Sequence, residues 1–120
     1  MTLIEVMIAL VILSGALVLL AGFMARFAHS IGETQARTTA NQLAAERLEF
    51  ARSAGLYANI DTIARTETPV SGYPGFVRQT VVSRVGGATS DTLDYKIVTA
   101  IVSAPGLTTP VRKSTIIAVY

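Results

Sequence analysis

Residues 6–25, VMIALVILSGALVLLAGFMA, run without a single charged side chain. At ~1.5 Å of rise per residue a helix of that length matches a hydrocarbon layer of ~30 Å. The stretch is therefore long enough to span a membrane. The whole 120-residue chain is 51% hydrophobic, but the excess sits in this run, and the remainder reads as one small domain. A conventional secretory signal begins with basic residues. Here the first Lys or Arg is Arg26, and an acid, Glu5, stands where the basic residues belong. A carboxylate at the edge of a span costs up to ~3 kcal/mol by insertion scales and usually has a partner. By itself Glu5 would lie near the headgroups and complement the positive end of the helix dipole.

Beyond the run, Ala36, Ala40, Leu43/Ala44, Arg47/Leu48 and Ala51 recur at helical spacing. Glu33/Arg37 and Glu49/Arg52 are spaced to support the helix, each by a few tenths of a kcal/mol. Gly55 is a natural stop. The reading is one helix from about residue 2 to 54, ~80 Å long. Its parts are an apolar segment 1–25 and an amphipathic continuation 26–54, followed by a β-rich head, 55–120. In the head, Pro69, Ser71-Gly72 and Pro74-Gly75 punctuate turns before three strand candidates, Phe76–Val85, Leu93–Ala104 and Val111–Val119. Short loops between them predict an antiparallel three-stranded meander, with added short pieces from 56–75. Its apolar face is expected against the Ala36–Ala51 side of the helix, which makes the fold class α+β.

Thr2-Leu3-Ile4-Glu5 ahead of the uncharged run resembles the start of mature type IV pilins and type II secretion pseudopilins. The resemblance covers residues 1–25 and, more loosely, the helix beyond. It implies a pilin-like fold, a basic leader cut by a prepilin peptidase before Met1, and methylation of the Met1 amine. It also implies an inner-membrane stage, and then entry through an assembly platform into an extracellular pilus or periplasmic pseudopilus. The numbering would then begin at the processed form. Glu5 matches the family's acidic position, with Thr2 beside it. In a bundle of identical helices the Met1 amine is desolvated, and Glu5 of a neighbouring subunit would neutralise it and set register, since either charge alone is strongly unfavourable. The chain departs from the family pattern at Met1, where Phe is most common, and at Gly22, where many members carry Pro. The C-terminal cysteine pair of many pilins is also missing. Ser14-Gly15 and Gly22 weaken the helix locally. They serve either as small contact residues between helices or as a place where the helix stretches in a filament.

Catalytic signals are lacking. The chain has no Cys, and its one His, His29, has neither a second His nor a Cys to join in metal or triad chemistry. Asp91 and Asp94 would make an incomplete calcium set, of the kind found in some pseudopilins, and read better as a solvated loop. Gly86-Gly87 is a turn without the Lys of a phosphate loop. Arg78, Arg84, Lys96, Arg112 and Lys113 are candidates for one basic strand face. Solubilising residues are the plainer reading, and a net charge of +2 does not imply nucleic acid. Phe27, Phe50, Tyr57 and Phe76 are expected in the core or in interfaces. The expectation is a non-enzymatic filament subunit without cofactor or metal, whose partner is itself or other pilins. The alternative is a minor secretion pseudopilin, toward which Met1, the modest head and the missing disulfide lean. A non-assembling membrane anchor and a DNA-binding fibre follow behind.

Overall fold

The computed structural model describes residues 2–54, 57–89 and 92–118. A 51-residue helix, α1 (Leu3–Ser53), is followed by a short 3-10 segment (Tyr57–Ile63). Four strands come next: β1 (Arg65–Glu67), β2 (Val77–Gly86), β3 (Asp94–Ser103) and β4 (Val111–Ala118). The chain divides into two units, one ending at Thr34 and the other beginning at Gln35.

In the first unit the helix is Leu-, Ile- and Ala-rich, and no described residue of it is buried. The start of α1 is closed by its own sequence. The Glu5 backbone N–H donates to the Thr2 carbonyl at 3.1 Å, and the Thr2 N–H donates back to Glu5 Oε2 at 3.3 Å. Thr2-x-x-Glu5 thus performs half of a capping box.

The second unit is a two-layer α+β head of pilin-like kind, the C-terminal part of α1 lying on one face of a sheet. The strands pair antiparallel in the order β1-β2-β3-β4, a plain meander. Its three long strands agree with the expected ones to within a residue at their described ends. The fourth, β1, comes from the segment expected to add short pieces. Val77 pairs with Ser103 and Val102 with Val111, so each long strand folds straight back on the last. At the β2–β3 return, Gly86 and Gly87 both take positive φ (78° and 85°), a conformation natural to glycine. A Cβ on Gly87 would also meet the end of the Arg84 side chain, which would have to move aside for any larger residue.

The core follows from two periodicities. Ala40, Leu43, Ala44, Leu48 and Ala51 form one stripe of α1, and Val98, Ala100 and Val102 one face of β3. Ile60, Ile63, Val70 and Val111 close the perimeter. Alanine on both layers lets helix and sheet approach closely, and burying Leu43 contributes ~2 kcal/mol. So small a core leaves much for polar groups to do.

The basic residues require a correction. Arg78, Arg84, Lys96 and Lys113 do share a face, but it is the one turned toward α1, while Arg112 points the other way. Arg78 and Lys96 are buried rather than solvated, and their partners lie within the head.

Candidate functional site

Two sets of side chains stand out: the uncovered apolar helix with its single acid, and the charged groups beneath the sheet.

From Leu3 to Met24 the large apolar side chains of α1 are all exposed, Leu3 at 83% and Val18 at 73%. The helix is long and apolar enough to cross a membrane, a test that a signal sequence near an N-terminus also passes. Ile4, Met7, Ile8, Val11 and Ile12 line a shallow, almost wholly apolar groove on it. Phe23 and Phe27 stack one turn apart, centroids 6.3 Å apart, flanking the first basic residue, Arg26. Among the described residues, Glu5 accepts from the Thr2 N–H through one carboxylate oxygen. Met1, the expected partner of a neighbour's Glu5, lies outside the described residues. The Ser14 hydroxyl donates to the Leu10 carbonyl one turn back. Around Gly15 and Gly22 nothing lies within 4 Å of where a Cβ would stand, so no contact inside the chain requires glycine there.

Under the sheet, buried cations tie the layers together. Arg78 donates from Nε to Glu67 Oε2 at 2.6 Å and from Nη1 to the Leu43 carbonyl at 3.1 Å, joining β2, β1 and α1. That bond, with the charge behind it, holds the Glu67 carboxyl below its usual range. Arg47 sits at a core position of α1, where it donates to Thr80 Oγ1 (2.9 Å) and to the Ile63 carbonyl (2.7 Å) and lies over the Phe50 ring. Burial lowers its pKa, and Arg65 nearby adds to the effect. Lys96 Nζ reaches Asp61 at 2.7 Å and the Tyr57 carbonyl at 2.9 Å, over the Tyr57 ring, fastening the 3-10 segment to β3.

Asp94 is gripped by Arg84 through two bonds of 2.8 and 2.6 Å and also accepts from the Tyr57 hydroxyl. The Arg84 bond, chiefly, pulls the Asp94 pKa down to about 2. Burial first and this aspartate second push the Tyr57 pKa up. With both its oxygens engaged, Asp94 is committed to the fold rather than to a cation, and Asp91 lies outside the described residues. His29 stands exposed on α1. Among the described residues no three His, Cys, Asp or Glu gather as a metal site.

Sequence spacing had already put position 47 in the buried stripe. What it could not supply was Thr80 and the Ile63 carbonyl, the partners that make an arginine tolerable there. Tyr57 and Asp61 were missed as clasps for Lys96 because their pairing depends on where the 3-10 segment docks. Scans of protein-family models, curated proteins and solved structures each return no match to the chain.

Proposed function

We propose that this chain is a structural subunit of a type IV pilus-like helical filament. Its N-terminal helix is held in the inner membrane before assembly and in a bundle of like helices afterwards. The observation that carries the reading is an apolar helical segment, uncovered over its full length, with one carboxylate a turn from its start. Lipid covers such a surface, and so does a set of identical helices. Lipid tails are as apolar as leucine, so packing, small residues and polar pairing must decide between the two. Gly15 and Gly22, unexplained within one chain, suit close approach by a second helix. Glu5, the lone carboxylate of the apolar segment and exposed at its start, suits the Met1 amine of a neighbour. A subunit at the wrong height leaves both ions unpaired, which gives the assembly its register.

A Glu5→Val variant tests this. It is expected to reach the membrane in normal amount and to be absent from sheared or purified filaments; incorporation at the wild-type level would refute the role of Glu5. The small head without cysteine favours a minor secretion pseudopilin as the second reading. In that case the Glu5→Val defect appears as lost export with no surface fibre to shear.

A further inference from the structure

The sheet has two faces, and α1 covers one. On the other, β2, β3 and β4 present fourteen described side chains, of which only Arg112 is charged. Antiparallel sheets with a free face normally alternate apolar in, polar out. Here Val81, Val85, Tyr95, Ile97, Ile101 and Ile116 point out, and Ile116 is 66% exposed. The apolar groups concentrate around one cross-strand row, Ser83–Ile97–Ile116, and its neighbour, Val85–Tyr95–Ala118.

We propose that this face pairs with the same face of a second copy of the chain, sheet against sheet. The chemistry selects that partner over the other large surface a copy offers. The exposed side of α1 in the head carries Gln42, Glu46, Glu49 and Ser53 around a single apolar side chain, Phe50, so covering isoleucine and valine with it would dehydrate two carboxylates for one ring. Two apolar sheet faces carry no such cost. Charge agrees with a two-fold arrangement. Arg112 lies in the row Gln79–Ile101–Arg112, four residues along β2 from Ser83. With the two-fold axis running across the strands through the Ser83 row, the two Arg112 side chains stand ~25 Å apart, beyond the Debye length. Size sets the strength. Three strands of this length cover ~400 Å² per copy, which side-chain relief raises toward the lower end of specific interfaces at ~1,200 Å² in total. The pairing is therefore weak in free solution and depends on copies being held near one another, as anchored helices hold them.

The test uses the full chain in bilayers, which has no native cysteine to interfere. Ser83→Cys sits at the centre of the face and, under this geometry, opposite itself, while Gln42→Cys sits on the exposed side of α1. A short bis-maleimide is expected to join Ser83→Cys copies about tenfold faster than Gln42→Cys copies. Adding Ile116→Asp to Ser83→Cys is expected to bring the rate down to the Gln42→Cys level. Ile116 lies outside the core, and an unchanged melting curve checks that the head stays folded. Equal rates for the two cysteines, as random collision or a different covering partner would give, overturn the proposal. So does a rate unmoved by Ile116→Asp. Repeating the pair in the Glu5→Val background separates this contact from filament assembly: sheet pairing persists there whether or not filaments form.

Discussion

α1 is one helix in two environments. Before Thr34 its leucines and isoleucines are exposed; beyond Gln35 the apolar residues at 40, 43, 44, 48 and 51 are all buried. The backbone is the same on both sides, so helical geometry does not separate the two halves. Pattern does. From Val6 to Ala25 the first half carries no charge on any side, as suits a helix in lipid or among its own kind, and the second keeps a stripe for the sheet. Each half is thus completed by something different, the second by its own chain and the first by its surroundings.

The sharpest way to break that contrast is to remove a charge from the sheet that covers the second half. Arg78→Met strips Glu67 of its closest cation and the Leu43 carbonyl of a donor. Breaking a buried pair from one side costs about 3–5 kcal/mol when the other charge is left alone, and because Glu67 keeps Arg65 at 2.8 Å the lower end of that range applies. Chemical unfolding of the head, followed by near-UV signals of its tyrosines, is expected to show a loss of that order. A loss below about 1 kcal/mol, as for an exposed pair, would mean that the cation is solvated and the layers are held by apolar contact alone.

A matched pair of leucines sharpens the comparison next. Leu43 is 1% exposed and Leu17 58%. Leu43→Ala is expected to cost the head about 3 kcal/mol through lost burial and a residual cavity. Leu17→Ala, the same change earlier in the same helix, is expected to leave head unfolding where it was. Equal effects in the one assay would show that the two halves do not unfold separately and would erase the distinction.

Much of this was legible beforehand, and the illegible part has physical causes. The uncharged run, the Ala36–Ala51 stripe and the three long strands follow from periodicity, which is local. Glu5 drew notice because one charge against an apolar background needs no three-dimensional knowledge to see. Arg78 and Lys96 were misjudged as solubilising because a charge is read as exposed until a partner is known. Their acids, Glu67 and Asp61, stand 11 and 35 residues away. In β3 the alternation was real but mute. Lys96, Val98, Ala100 and Val102 turn inward and Ile97 and Ile101 outward, so both faces read as apolar and neither announced itself as the core.

Protonation is the gentlest probe of the same contrast. Asp94, held at about 2 by Arg84, and Glu67, held low by Arg78, are both depressed from unfolded values of ~4. A depressed carboxyl stabilises the folded state above its unfolded pKa, and the contribution fades as pH falls through the folded one. The head's melting temperature is therefore expected to hold steady above about pH 5 and to decline from there toward pH 2. Arg84→Gln removes the Asp94 share, so its curve should start lower, fall less steeply and approach wild type at the acid end. Curves that run parallel down to pH 2 would mean that the Arg84–Asp94 grip contributes nothing to the acid-side loss of stability. The acid-side decline would then rest on the head's other ionic ties, with the buried Arg78–Glu67 pair first among them.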